Sequence, residues 1–111
     1  MRCIIECRCP LRNKVNTITL KDGKIYVDDG RYERIILNDV DEVELFYEKL
    51  YKIVFYWKQE YIGERVYDGE RYLIEFDVNH KKKKYKIQNK FPDNWEDFLN
   101  IREKILSFCE E

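Results

Sequence analysis

Alternation of apolar and polar residues predicts a β-hairpin in the first quarter of the chain. Asp22-Gly23 separates two alternating runs, and this dipeptide is a strong signal for a two-residue turn. A turn of that length pairs Leu20 with Ile25 and Ile18 with Val27. All four side chains then lie on one face, as a half-buried hairpin requires.

A second set of alternating runs predicts three strands that share one buried face. A two-residue turn at Asn79-His80 joins residues 71–78 to residues 83–88, and Asp68-Gly69 joins them to residues 51–61. A slip of one residue would move a whole apolar set to solvent, so agreement at two turns favours this register. The predicted pairs across the second hairpin are Phe76 with Lys83, Ile74 with Tyr85, and Tyr72 with Ile87.

The end of the chain has the pattern of an amphipathic helix over about residues 93–109. Asp93 is placed to cap the first turn, and Glu96, three residues later, is placed to complete a capping box. The helix must cover an apolar surface, because its apolar stripe recurs at helical spacing. The stripe contains Trp95, Phe98, Leu99, Arg102, Ile105, Leu106 and Cys109.

Two segments between these elements have ambiguous patterns. Residues 31–37 predict a fourth strand, but Tyr32 and Ile36 oppose Ile35 and Leu37 in phase. Residues 39–49 fit either a helical stripe or a strand. We interpret that second segment as a connection with some regular structure.

Counting residues 3–9 as a first strand gives four strands, a connection, three more strands and a C-terminal helix. This order resembles the pleckstrin-homology-like fold, in which two near-orthogonal sheets of four and three strands are closed at one corner by the final helix. Two stretches are similar to the small bacterial members: residues 22–27 followed by 36–43, and residues 86–91 followed by 95–99.

The resemblance implies one mainly β domain over residues 1–111. It implies a barrel or sandwich of about seven antiparallel strands within residues 3–89, arranged as four plus three and capped by the C-terminal α-helix. Function does not follow from such a fold, since it hosts unrelated tasks.

Composition limits the kind of partner. The 21 Lys and Arg residues almost balance the 22 Asp and Glu residues, so a net charge of −1 gives no general attraction to nucleic acid or anionic lipid. The sequence has neither a stretch of roughly 20 apolar residues, as a membrane span needs, nor the apolar core of a signal peptide. A cytoplasmic protein without bound nucleic acid is therefore expected.

The four cysteines are interpreted as buried thiols. Cys3 and Cys7 would lie roughly 13 Å apart on a strand that rises about 3.3 Å per residue, whereas two thiolates on one zinc lie within about 4 Å. Cys3, Cys7 and Cys9 share the parity of an apolar face. Disulfides and a metal site that includes Cys109 are the less favoured alternatives. No cofactor or metal is predicted.

Catalytic chemistry finds little support in the sequence. His80 is the only histidine, it lies in a predicted hairpin tip, and nothing places a cysteine beside it. Most carboxylates alternate with Lys and Arg on solvent faces. Neither an enzyme nor a catalytic residue is predicted.

Two clusters of basic residues are candidates for anion sites. Arg8, Arg12 and Lys14 resemble the basic spacing that phosphoinositide-binding members of the pleckstrin-homology family use, which implies a weak anion-binding site and makes a membrane lipid headgroup a less favoured ligand. The run 81–84 beside His80 is interpreted as a solvated hairpin tip, since the aromatic platforms typical of single-strand binding are absent from its exposed positions.

An excess of apolar residues from Leu50 to Trp57 gives the main indication of a partner. If this segment is a strand, Val54 and Tyr56 lie on the face opposite Trp57, and both faces are apolar. Either another part of the chain covers the second face, or a partner protein or a second copy does.

The predicted function is a small non-catalytic protein-binding or self-associating module. Its predicted interface residues are Val54, Tyr56 and Trp57. The alternatives are an anionic-ligand module, which would use Arg8, Arg12 and Lys14, and an inhibitor protein of a phage or mobile element that acts by binding.

Overall fold

The alternating runs of the sequence form strands of one sheet, and the two helices pack on a single face of it. A computed structural model describes residues 1–8, 17–64 and 70–110. In chain order these contain β1 (Arg2–Arg8), β2 (Thr17–Lys21), β3 (Lys24–Asp28), β4 (Glu33–Asn38), α1 (Val40–Val54), β5 (Glu60–Ile62), β6 (Arg71–Val78), β7 (Lys81–Gln88), α2 (Trp95–Leu106) and a final 3₁₀-helix (Ser107–Glu110).

The strands lie in the order β4-β3-β2-β1-β6-β7-β5. A mainly β fold with about seven strands and a C-terminal helix is thus confirmed. The arrangement differs from the expected barrel or sandwich of four plus three strands, because β1 pairs with both β2 and β6 and joins the two groups into one open sheet. One pair, β5 with β7, is parallel rather than antiparallel.

Two of the three predicted hairpin registers are confirmed. Leu20 pairs with Ile25 across the first turn, and Ile74 pairs with Tyr85 across the second. The central residues of both turns have positive φ: 52° and 70° at Asp22-Gly23, 50° and 66° at Asn79-His80. This geometry matches the twist of the flanking strands and explains why two-residue loops suffice. The third is wrong, because residues 71–78 pair with β1 and β7 and not with residues 51–61. Its Asp68-Gly69 turn lies outside the described residues.

A β-bulge explains the ambiguous phase of the fourth strand. Leu37 pairs with Ile25 and Ile35 pairs with Tyr26, so Ile36 is an extra residue between two paired positions. Ile36 and Leu37 are adjacent and therefore of opposite parity, yet both pack against the core, whereas Ile35 is exposed on the other face. The sequence showed this as a conflict between odd and even positions.

The strand predicted over residues 51–61 is wrong, because most of that segment continues helix α1. Asp39 caps this helix through its carboxylate, which accepts from the backbone N–H of Glu42 at 3.2 Å. The buried positions of α1 recur at helical spacing: Val43, Phe46, Tyr47, Leu50 and Val54. Residues 39–49, interpreted as a connection, form the first part of the same helix. The segment is apolar at both odd and even positions because its residues belong to the buried face and the C-terminal end of a helix, not to a strand.

The C-terminal helix is confirmed, but its predicted capping box is wrong. The cap residue is Asn94 rather than Asp93, and its side chain makes no capping bond. That side chain is used elsewhere: it accepts from Trp57 Nε1 at 2.6 Å and donates to the carbonyl of Ile53 at 2.9 Å. A tertiary contact has therefore replaced the local cap that the sequence favoured.

The core lies between the helices and one face of the sheet. Cys3, Ile5 and Cys7 of β1 occupy its middle, and Phe76 of β6 and Phe98 of α2 are fully buried beside them. Cys3 and Cys7 are buried, as favoured; the thiol of Cys3 is free, and burial raises its pKa. Cys109 is free and half-buried, and Cys9 lies outside the described residues.

Gly23 gives a test of the first turn. Its φ is +70°, and a Cβ at this position would lie 2.5 Å from Cγ2 of Val40. We expect Gly23→Ala to lower the free energy of unfolding by at least about 1–2 kcal/mol, the usual cost of a left-handed L-residue. Urea denaturation followed by circular dichroism measures this. Adding Val40→Ala, a change at an exposed side chain, should recover only the part due to the clash.

Tyr47 gives a test at alkaline pH. Its hydroxyl is buried and has no hydrogen-bond partner among the described residues, and burial raises the pKa of Tyr47 to about 12. The folded protein therefore holds this proton more tightly than the unfolded chain. The contribution is complete below the ordinary tyrosine pKa near 10 and is lost as the pH rises toward 12.

Tyr47→Phe should therefore unfold at an unchanged or higher urea concentration at pH 7, because it removes an unpaired buried hydroxyl. Its stability should also fall less steeply than that of the wild type between pH 9.5 and about 11.5. Tyr56→Phe, at an exposed position, serves as the control. Equal slopes for Tyr47→Phe and wild type would contradict the assignment.

Candidate functional site: an aromatic corner after helix α1

The connection between α1 and β5 carries the most exposed aromatic side chain of the described residues. Phe55 follows the last residue of α1 in helical conformation, and the backbone N–H of Trp57 donates to the carbonyl of Val54 at 2.9 Å. This tight turn directs Trp57 into the core. Tyr56 is left 89% exposed, and Phe55 is 48% exposed.

Trp57 fixes the turn to the rest of the fold. Its ring packs against Tyr85, Trp95 and Phe98, with centroid distances of 6.1, 5.8 and 5.5 Å. Its indole N–H donates to Asn94, which also donates to the carbonyl of Ile53. One amide side chain at the start of α2 therefore holds both sides of the turn.

A series of ring contacts connects Tyr56 with the core. Tyr56 lies 5.0 Å from Phe55 in an edge-to-face arrangement, and Phe55 lies 5.8 Å from Tyr51 in the same way. Tyr51 in turn contacts Phe76 of β6 at 5.6 Å. The exposed rings of Tyr56 and Phe55 are thus connected to the core by packed aromatic side chains.

One lysine of β7 lies against these rings, and two more are close to them in sequence. Lys83 of β7 lies with its ammonium 5.0 Å from the ring centre of Phe55 and 5.5 Å from that of Tyr51, within cation–π range. It also donates to the Tyr51 hydroxyl at 3.4 Å. Lys52 and Lys58 are exposed, and in the described part of the chain none of these three lysines forms an ion pair.

We define the aromatic corner as Tyr51, Phe55 and Tyr56 with the lysines Lys52, Lys58 and Lys83. Residues 49–58 contain three lysines and no acidic residue, although the whole chain is nearly neutral. The corner therefore combines exposed aromatic area with a local positive charge.

The predicted interface residues are separated by the structure. Tyr56 is exposed, but Val54 and Trp57 lie in the core. The helical period explains Val54, which continues the buried stripe of α1 one turn after Leu50. The sequence reasoning missed Phe55 and Lys83. Continuing that helical stripe would have placed Phe55 on the outside, but no local signal brings Lys83 to it.

The predicted anion site is described only in part. Arg8 is exposed, and its guanidinium donates from Nε to Glu6 Oε1 at 2.8 Å. Arg12 and Lys14 lie outside the described residues. The one visible member of the site thus already has a carboxylate partner.

The uncovered face of the sheet holds a groove of about 610 Å³. Ile4 and Leu73 form part of its lining, and Glu75 lies beside them in ion pairs with Arg2 and Lys82. Further charges of both signs line it: Glu6, Glu60, Lys84 and Lys86. Mixed and partly paired charges give this groove no clear ligand preference.

Residues 1–8, 17–64 and 70–110 contain neither a candidate metal site nor a helix that could span a membrane. These residues contain no group of three or more His, Cys, Asp or Glu side chains placed to hold a metal ion. None of their helices has the length and apolar character that a membrane span requires. His80 is exposed in the turn between β6 and β7. The prediction that the protein is not an enzyme stays a prediction.

Comparisons of the chain with models of protein families, with curated proteins and with solved structures give no match. The resemblance to the pleckstrin-homology-like fold stays a prediction.

Asn94 gives a test of how the corner is held. Asn94→Ala leaves the Trp57 indole N–H and the Ile53 carbonyl without their partner, and we expect it to cost about 1–3 kcal/mol of unfolding free energy. Urea denaturation followed by tryptophan fluorescence measures the loss. Asn100→Ala, at an exposed position of the same helix, is the matched control and should change stability by less than about 0.5 kcal/mol. Equal effects would contradict the role assigned to Asn94.

Proposed function

We propose that the protein is a non-catalytic module that binds an acidic surface of a partner protein through the aromatic corner. The observation that supports this is the exposure of Tyr56 on a packed support of aromatic rings. Tyrosine presents a large contact area with only two side-chain torsions to order, and it is enriched among the residues that dominate binding energies.

The lysines define the chemistry of the partner. Lys83 lies over the rings, and the exposed Lys52 and Lys58 are close to them in sequence, so a complementary surface carries carboxylates around an apolar or aromatic pocket. A second copy of the same corner would bring like charges together, which disfavours self-association through this surface.

Nucleic acid is the other polyanion to consider. Single-strand binding normally uses several aromatic platforms in a row along a basic groove. Tyr56 is the one nearly fully exposed ring of the corner, while Phe55 and Tyr51 are packed edge-to-face beneath it. An acidic protein surface fits this single protruding ring better. An inhibitor that acts by binding alone would use the same surface.

A randomised peptide library displayed on phage tests the proposal and requires no candidate partner. Wild-type protein should enrich peptides rich in Asp and Glu with at least one aromatic or aliphatic residue. The double variant Lys58→Glu with Lys83→Glu should lose this preference for acidic sequences. Affinity for an enriched peptide should fall with rising salt, since the contacts are at the surface.

The contribution of the ring is measured with one enriched peptide in solution by isothermal titration calorimetry. Tyr56→Ser should weaken binding at least about fivefold, the effect of losing a residue worth more than 1 kcal/mol. Leu45→Ser removes an exposed apolar side chain from α1, the helix that precedes Tyr56, and should leave binding unchanged. Enrichment of non-acidic peptides, or equal binding by Tyr56→Ser and wild type, would overturn the proposal.

A further inference from the structure

The two ends of the sheet differ in how well they are protected from pairing with another chain. At one end, β5 has three residues. At the other end, β4 has six, and no strand of the described residues pairs with its outer side. An open edge of this kind presents backbone N–H and C=O groups to solvent as a template for another strand.

β4 has one common protection of an edge, its β-bulge, but lacks others. It contains neither Lys nor Pro, and three consecutive residues, Ile35, Ile36 and Leu37, are apolar. Ile36 and Leu37 pack against the core, whereas Ile35 is 49% exposed. Ile35 points to the uncovered face, where its cross-strand neighbour is Tyr26. Tyr26 and Ile35 therefore form a short apolar row on that face, and the row ends at the edge of the sheet.

We propose that two copies of the chain pair through β4 in antiparallel orientation, about a two-fold axis at Ile35. In a sheet that continues through such an axis, one residue of the strand lies opposite itself, because the faces of the two sheets must coincide. An axis at Glu33 or Arg34 would place like charges together, and Ile36 is the extra residue of the bulge and so has no regular paired position.

The axis at Ile35 is the register that the charges favour. It places the two Ile35 side chains side by side and completes an apolar row from Tyr26 of one copy to Tyr26 of the other. The uncovered faces of the two sheets become one continuous face.

The expected dimer is weak and reversible. The bulge at Ile36 twists the edge and limits how many residues can pair, and a strand-to-strand contact is small for a protein interface. A dissociation constant on the order of 10 μM is therefore expected. The aromatic corner is fixed near β7, toward the other end of the sheet, so this pairing leaves it free.

Sedimentation equilibrium over about 1–300 μM tests the association. Wild-type mass should rise with concentration from 13.8 kDa toward twice that value. Ile35→Lys places two like charges at the axis and should weaken dimerisation at least about tenfold. Ile62→Lys changes an isoleucine of similar exposure, 48%, on the opposite edge strand, and it should dimerise as the wild type does.

A cysteine at the axis tests the register and does not depend on the stability of Ile35→Lys. Residues directly opposite each other in an antiparallel pair have Cα atoms about 4.5–5.5 Å apart, within disulfide range. Under mild oxidation at dimer-forming concentrations, Ile35→Cys should form a covalent dimer faster than Glu33→Cys or Arg34→Cys. A wild type that stays monomeric to 300 μM, a dimer unaffected in a folded Ile35→Lys variant, or faster cross-linking at position 33 or 34 would overturn the proposal.

Discussion

The pairing of β1 with β6 is the contact on which the rest of the sheet depends. Seven successive residues of β1 pair with β6, from Arg2 opposite Asp77 to Arg8 opposite Arg71. This ladder joins the N-terminal hairpins to the C-terminal hairpin, and it places Cys3, Ile5 and Cys7 at the centre of the core. Arg2 reinforces it on the uncovered face through contacts with Glu75 and Asp77. Without this ladder neither group of strands would have a partner for its inner edge, and the helices would cover two unconnected surfaces.

Local features of the fold could be predicted from the sequence, and long-range ones could not. Both two-residue turns were correct because Asp22-Gly23 and Asn79-His80 tolerate positive φ, and because alternation then fixes the register. Nothing in the sequence of β1 distinguishes β6 as its second neighbour. The parallel β5 is short, and its place beside β7 depends on contacts made after the chain has left α1. Such pairings are set by how the whole chain packs, which no local pattern contains.

Helix α1 shows the same limit at the candidate site. The segment from Leu50 to Trp57 is apolar at odd and even positions, so its period could not decide between strand and helix. The strand interpretation grouped Val54 with Tyr56 on the face opposite Trp57, whereas the structure buries Val54 and Trp57 and exposes Tyr56, because α1 ends at Val54. The support of the corner comes from Lys83 and Asn94, which are distant in sequence. Asn94 also explains why α2 has no side-chain cap: its amide bonds to Trp57 and to the Ile53 carbonyl instead of to the first turn of its own helix.

The central position of β1 has a consequence for the order of folding. β1 leaves the ribosome well before its second neighbour, β6, which follows four strands and a helix later in the chain. The entropy cost of closing so large a loop comes before the stabilising contacts between β1 and β6 can form, and chains with such long-range pairings fold slowly. A growing chain can form its local hairpins early, but the inner edge of β1 and its buried cysteines wait until β6 has been made. The nascent chain therefore exposes an apolar strand through most of the synthesis of this domain, and the core closes only after the last third of the sequence has emerged.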